Sequence, residues 1–153
     1  GKTGKVRITI NQDAGFTKAS KFLGSSNWSR EKIQTYGGAY NISEEDALDL
    51  FDAANGRTWD YEKMIWGHTG KINNTSLNVS GGNDRTRYYI AGSYQRETGI
   101  QKKTGYTRKS FRMNLDHKLT DRIDFKVSSN FINSYASRSF TGNDNNGVSL
   151  TYH

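Results

Sequence analysis

The sequence predicts an all-β chain, in which about five strands form part of a transmembrane antiparallel β-barrel and one long loop carries a short helix. Five stretches alternate apolar and polar residues with a period of two, which indicates strands with one apolar face. Short turns and long loops alternate between these stretches, as is typical of outer-membrane barrels. Only 28 of the 153 residues are Leu, Ile, Val or Phe, yet 12% are aromatic. A barrel explains both figures, because lipid replaces a protein core and aromatic residues collect at the membrane interfaces.

The composition excludes several other classes of protein. The chain has no apolar run of about 18 residues, so it has no transmembrane helix. It has no cysteine, which excludes disulfides and sites in which cysteine binds zinc or carries redox chemistry. The formal net charge of +7 leaves nucleic acids and anionic surfaces open as partners.

The first predicted strand lies within residues 1–16, where Val6, Ile8 and Ile10 share one face. Residues 17–70 follow as one long connection, which in a barrel of this kind is an extracellular loop. Connections of this length are uncommon in compact domains and are usually functional.

The long loop contains one predicted helix near residues 43–54. Ser43 is a good N-cap, and three acidic residues follow it in the first turn, where negative charge suits the helix dipole. Asn55 and Gly56 form a good stop signal.

Four further strands are predicted over residues 71–137, arranged as two hairpins. The hairpins close at tight turns around Gly82 and Asp121, and a longer loop over residues 97–105 joins them. Residues 138–153 are the expected start of a further extracellular loop.

The alternation assigns the side chains of these strands to a wet lumen or to lipid. The predicted lumen-facing residues are Arg87, Gln95, Arg108, Arg112, Asn114 and Asn130. The predicted lipid-facing residues are Ile90, Phe111, Met113, Leu115, Phe125 and Val127. Tyr94, Tyr106 and Tyr135 lie near the long-loop ends of their strands, which predicts one aromatic girdle.

No catalytic site, metal site or cofactor is predicted. Residues 1–3 read Gly-Lys-Thr, like the tail of a phosphate-binding loop, but that loop opens a helix and a strand follows here. Residues 142–153 loosely echo a calcium loop, but Gly142 and His153 occupy its first and last ligand positions, so two carboxylates are missing. No Ser/His/Asp or paired-carboxylate arrangement can be argued from the sequence.

Several motifs resemble one family of outer-membrane proteins. Residues 76–89 resemble the "SGG...T.YY" hairpin of SusC/RagA-type TonB-linked outer-membrane proteins of Bacteroidetes, and the likeness continues over residues 94–118. Residues 58–62 resemble the "TDWQDE" segment ahead of that hairpin, and residues 1–5 resemble the exit from the plug into the first barrel strand. The motifs are fairly specific in combination and weak individually.

The resemblance implies that the chain is the N-terminal part of a large barrel that is plugged by an N-terminal domain. It implies TonB-powered import of glycans or peptides across the outer membrane of a Gram-negative bacterium. The implied partners are the remainder of the barrel and its plug, TonB, outer-membrane lipid and a SusD-like lipoprotein lid. Five strands cannot close a barrel, and an open edge leaves backbone groups unpaired in hydrocarbon, so we expect the chain to be part of a longer protein.

Aromatic side chains of the long loop are the predicted contacts to the substrate or to the lid. The candidates are Trp28, Tyr36, Tyr40, Trp59, Tyr61 and Trp66. The alternative for Trp59 and Trp66 is that they pack the base of the loop or belong to a girdle.

Three other functions stay open at this stage. A soluble β-sandwich with one solvated face would show the same alternation, and it would bind carbohydrate or polyanions. An outer-membrane pore without energy coupling would share the barrel but would have no plug. Basic and aromatic residues interleave as in sheets that bind single-stranded nucleic acid, but no RNP-like or OB-like signature is present, so we expect no nucleic-acid partner.

Overall fold

A computed structural model describes residues 4–24, 28–37 and 42–139 of the chain. The chain forms two compact units: a sheet unit of residues 4–18 and 69–138, and a helical unit within residues 19–68. The candidate contact Tyr40 lies outside the described residues, and so does most of the loop that is predicted over residues 138–153.

The sheet unit is one antiparallel sheet, in which five strands stand in the order of the sequence. Each strand pairs with the next one along the chain. The prediction of an all-β chain with five antiparallel strands is therefore confirmed. The strands are β1 (Gly4–Thr17), β2 (Gly70–Gly82), β3 (Thr86–Thr98), β4 (Gly105–Thr120) and β5 (Ile123–Ser137).

The connections are short at one end of the sheet and longer at the other. Residues 83–85 join β2 to β3, and residues 121–122 join β4 to β5. At the opposite end, residues 18–69 join β1 to β2, and residues 99–104 join β3 to β4. These two ends are called the short-turn end and the long-connection end below.

The turn between β2 and β3 depends on Gly82 and Asn83. The Oδ1 atom of Asn83 accepts hydrogen bonds from the backbone N–H groups of Arg85 at 3.0 Å and Thr86 at 2.7 Å. Gly82 has a φ of 154°, and a Cβ atom at this position would collide with the backbone of Thr86 and Arg87. Glycine is required here because the returning strand occupies the space of a side chain.

The helical unit contains α1 (Arg30–Tyr36), α2 (Glu44–Ala53) and α3 (Tyr61–Trp66), so the structure adds two short helices to the one that the sequence predicts. Each added helix begins at a side-chain cap: Ser29 accepts from the N–H of Lys32, and Asp60 accepts from that of Lys63. Both are too short for a clear apolar period, and only their caps could have indicated them. In the described part of the chain, no helix has the length and apolar character needed to cross a membrane.

Helix α2 begins and ends at the signals seen in the sequence. The Ser43 hydroxyl accepts a hydrogen bond from the N–H of Asp46 at 3.0 Å. At the other end, Asn55 and Gly56 have positive φ angles, and the N–H of Gly56 donates to the carbonyl of Phe51 at 2.9 Å. This left-handed cap satisfies one of the last carbonyl groups of the helix.

Candidate functional site

The six residues predicted to face lipid share one face of the sheet. Directly paired residues of neighbouring strands lie on the same face, and residues two apart on a strand do as well. The pairs that establish this are Ile90 with Met113, Phe111 with Phe131, Leu115 with Val127 and His117 with Phe125. The same face, called the apolar face, also receives Ile8, Ile10, Leu77 and Val79 from the first two strands.

Within the sheet unit, large side chains of the apolar face are open to solvent. Phe111 is 43% exposed, Phe131 59% and Ile8 62%. Ile33 is the one buried hydrophobic residue among the described residues, and it belongs to α1 rather than to the sheet. The sheet therefore has an apolar side but no protein core against it.

The tyrosines expected to form one girdle lie on two faces. Tyr94 pairs with Lys109 and Tyr135 pairs with Thr107, so both tyrosines are on the apolar face near the long-connection end. Tyr106 pairs with Ala136 and stands one position away from Thr107. The girdle prediction is therefore wrong for Tyr106, because a shift of one residue moves a side chain to the other face.

The six residues predicted to face the lumen share the opposite face, called the polar face. The pairing of Gln95 with Arg108 and of Arg112 with Asn130 places four of them there, and the parity of the strands places Arg87 and Asn114 with them. Hydrogen bonds between neighbouring strands run across this face. They join the Ser93 and Ser110 hydroxyls at 2.7 Å, Tyr89 to Asn78 at 3.1 Å, and Ser128 to Asn114 at 2.9 Å.

The short-turn end of the polar face carries charges of both signs. Arg87, Asp116 and Lys126 are paired across three neighbouring strands, with the carboxylate between the two cations. Lys118 and Asp124 pair in the next position. These residues border a hollow of about 200 Å³. Within the described residues, no three His, Asp or Glu side chains are grouped so that they could hold a metal ion.

Two of the predicted contact residues, Trp28 and Tyr36, converge on one pocket of the helical unit. The pocket has a volume of about 220 Å³, and its wall is mainly apolar. Trp28 is 42% exposed and Tyr36 63% exposed, so both rings remain accessible at its edge. The lining residues are Trp28, Ile33, Tyr36, Gly37, Ile42, Ala47 and Leu50.

An ion pair between Arg30 and Asp52 joins the two helices that form this pocket. Arg30 is the first residue of α1, and Asp52 lies in the last turn of α2. Both side chains are about half exposed, so the pair contributes little to the stability of the helical unit.

The other loop aromatics lie elsewhere in the helical unit. Trp59 and Tyr61 stand at the start of α3 and are 50% and 49% exposed. Trp66 ends the same helix and is half-buried. None of the three lines the pocket that contains Trp28 and Tyr36.

Glu62 is a structural residue that the sequence analysis missed. Its side chain is only 6% exposed, and its two carboxylate oxygens accept the backbone N–H groups of Leu23 at 2.6 Å and Gly24 at 2.7 Å. Hydrogen bonds to a carboxylate are stronger than those between neutral groups, so Glu62 clamps the start of the loop to α3. No local pattern identifies this partner, because it lies 38 residues earlier in the chain.

The chain is similar to a curated protein and to a solved structure. The chain is 38% identical over 71 residues to TonB-dependent receptor P3 of Formosa agariphila, a match that covers 46% of this chain and 7% of that protein. Its fold is similar to a chain of the RagAB peptide importer in the closed-closed state, with a TM-score of 0.64 and 16% identity, over 96% of this chain and 20% of that one. No protein-family model matches the chain.

These similarities confirm the resemblance to SusC/RagA-type TonB-linked outer-membrane proteins that the sequence motifs predicted. They also confirm the predicted location in the outer membrane of a Gram-negative bacterium. Neither relative is described as an enzyme. The chain spans about a fifth of the solved structure's chain and 7% of the curated relative.

Proposed function

We propose that this chain is one arc of the wall of a TonB-dependent outer-membrane importer. The observation that carries the proposal is the uncovered apolar face of the sheet. Soluble monomers rarely expose a contiguous apolar patch of more than a few hundred Å². Here Ile8, Phe111 and Phe131 are each more than two-fifths exposed on a single face. Lipid is the solvent that fits such a face.

The length of the apolar face supports the same proposal. On β5, the side chains of this face run from Phe125 to Tyr135, ten residues apart. At about 3.4 Å per residue this distance is about 34 Å, and a strand tilt of about 40° reduces it to about 26 Å along the membrane normal. The apolar band of outer-membrane barrels is about 25 Å tall. Lys109, near the Tyr135 end, would extend its amine to the lipid headgroups.

The alternative of a soluble β-sandwich is less well supported. A sandwich buries the apolar faces of two sheets against each other. The five strands of the described residues all belong to one sheet, and its apolar side is open. The remaining strands of a larger barrel would cover the two edges of this sheet and leave its faces free.

In the proposed importer, the polar face lines the substrate pathway. The short turns would face the periplasm and the long connections the cell exterior, as in other outer-membrane barrels. The whole protein would contain a plug that gates the pathway and an N-terminus on which TonB pulls. The substrates would be glycans or peptides, and the peptide option is supported by the similarity to a peptide importer.

In this proposal, the long connection meets the substrate or a SusD-like lipoprotein lid. Trp28 and Tyr36 are the best candidates, because they border one accessible apolar pocket. Trp59 and Tyr61 are exposed and form a second, separate pair of candidates. Trp66 is half-buried, which favours a packing role for it.

Single-cysteine accessibility along β4 tests the facing on which this proposal depends. Cysteine would replace residues 110–115 one at a time in a cysteine-free form of the full-length protein in outer-membrane vesicles. We expect a water-soluble maleimide to label the even positions, and only a lipid-soluble maleimide to label the odd ones. Equal labelling of both sets by the water-soluble reagent would contradict the assignment to lipid and lumen.

A further inference from the structure

Two arginines of β4, Arg108 and Arg112, flank a small polar hollow in the middle of the polar face. They are four residues apart on the strand, which separates their Cα atoms by about 13 Å. The hydrogen-bonded hydroxyls of Ser93 and Ser110 lie between them. The hollow has a volume of about 370 Å³, and it is also lined by Asn130, which pairs with Arg112 on the neighbouring strand.

No described carboxylate neutralises the two arginines. No aspartate or glutamate lines the hollow. Two positive charges therefore face one polar space without a negative partner from this part of the chain.

The carboxylates nearest to the hollow on the polar face have other neighbours. Glu97 accepts a hydrogen bond from the Gln95 amide at 2.6 Å. Asp13 accepts one from the Asn74 amide at 3.2 Å. Asp116 is paired in the sheet between Arg87 and Lys126. None of these three carboxylates lines the hollow that Arg108 and Arg112 flank.

We propose that Arg108 and Arg112 form a binding site for an oxyanion, a carboxylate or sulfate group carried by the transported substrate. Guanidinium groups bind such groups through two parallel hydrogen bonds, and the hydroxyl of Ser93 and the amide of Asn130 supply further donors. The site rests on the proposed function, because that function makes the polar face the wall of a water-filled pathway. Arg108 is nearer the long-connection end, so an entering anion meets it before Arg112.

The reactivity of a thiol placed between the arginines tests the site. Ser110→Cys would be introduced into the cysteine-free full-length protein, and its rate of modification compared for an anionic sulfonate and a cationic trimethylammonium methanethiosulfonate. The ratio of the anionic to the cationic rate should fall about fivefold when R108Q and R112Q are added. Two charges about 7 Å from the thiol, screened at physiological salt, give an effect of this size.

Protection of the same thiol identifies the ligand. At matched ionic strength, sodium sulfate or sodium acetate should slow labelling by the sulfonate relative to sodium chloride, and R108Q/R112Q should abolish this protection. Protection by acetate alone indicates a carboxylate ligand, and protection by sulfate alone indicates a sulfated one. The R108K/R112K variant keeps the charge, so it should retain the rate ratio and lose most of the protection, because lysine does not bind an oxyanion through a planar fork.

The outcomes separate this site from the function on which it rests. If neither reagent modifies Ser110→Cys, even when the plug is deleted, the polar face is not a wet pathway and the proposed function fails. If both reagents react but the ratio is the same with and without the arginines, or no anion protects, the oxyanion site is refuted and the pathway stands. An unchanged ratio together with displacement of the plug in R108Q/R112Q, seen as faster proteolysis of the plug, would assign the arginines to carboxylates of the plug, which also overturns the site.

Discussion

Replacement of Phe111 by lysine tests where the membrane lies on the sheet. Phe111 pairs with Phe131, and residue 130 is the midpoint of the apolar face between Phe125 and Tyr135 on β5. Phe131 is one residue from this midpoint, so at a strand tilt of about 40° its partner Phe111 lies about 3 Å from the middle of the apolar band, along the membrane normal. A lysine this deep on the lipid face costs about 2–4 kcal/mol. We therefore expect Phe111→Lys to lower the free energy of unfolding of the full-length protein by this amount.

The depth dependence provides a second measurement on the same strand. Leu115 pairs with Val127, three residues from the midpoint, which is a depth of about 8 Å from the middle. Its replacement by lysine should cost less than that of Phe111, because the amine is nearer the interface. The free energy of unfolding of both variants would be measured by urea unfolding in lipid vesicles, with the folded fraction read from heat-dependent gel mobility.

Asn114→Lys is the matched control on the polar face. Asn114 accepts a hydrogen bond from Ser128, so this variant should lower the free energy of unfolding by about 0.5–1.5 kcal/mol. The lysine side chain stays on the polar face, where water solvates its charge. Equal losses for Phe111→Lys and Asn114→Lys would refute the assignment of the two faces. A larger loss at Leu115 than at Phe111 would refute the position of the midplane.

Two further substitutions test contacts that only the structure reveals. Glu62→Gln replaces one carboxylate oxygen by an NH₂ group that faces a backbone N–H group. We expect the local free energy of unfolding to fall by about 1–3 kcal/mol, measured as faster amide hydrogen exchange at Leu23 and Gly24. Unchanged exchange at both residues would contradict the clamp. Gly82→Ala should impair assembly of the barrel more than Gly15→Ala, because a Cβ atom at residue 15 meets only an ordinary van der Waals contact. Equal assembly yields of the two variants would refute the argument that the turn requires a glycine.

The sheet was predictable because one periodicity determines both its strands and its faces. In a meander with short turns, the parity of one strand fixes that of the next, so Phe111 and Leu115 could be placed on one face from the sequence alone. Tyr106 shows the limit of this reasoning. It was grouped by its distance from a loop, whereas the face that it occupies depends on its parity along the strand. That parity places Tyr106 on the other face of the sheet from Tyr94.

The helical unit was less predictable because its contacts are not periodic. Helices α1 and α3 have seven and six residues, so each is shorter than the window in which an amphipathic pattern can be recognised. The pocket at Trp28 and Tyr36 depends on how α1 packs against α2, and the Glu62 clamp depends on residues 38 and 39 positions away. Sequence composition identified the aromatic residues, but only packing shows which of them share a site.

The two faces of the sheet carry different amounts of functional information. On the proposed lipid-facing side, any apolar side chain is tolerated, so the identity of Met113 or Leu115 should matter less than its depth in the membrane. On the polar face, the short-turn end carries carboxylates directly beside its cations, as Asp116 is between Arg87 and Lys126. Arg108 and Arg112 lie at mid-strand, and no aspartate or glutamate of the described residues lines the hollow that they flank. For this arc of the wall, discrimination between anionic and neutral substrates should depend on these two side chains rather than on the net charge of +7.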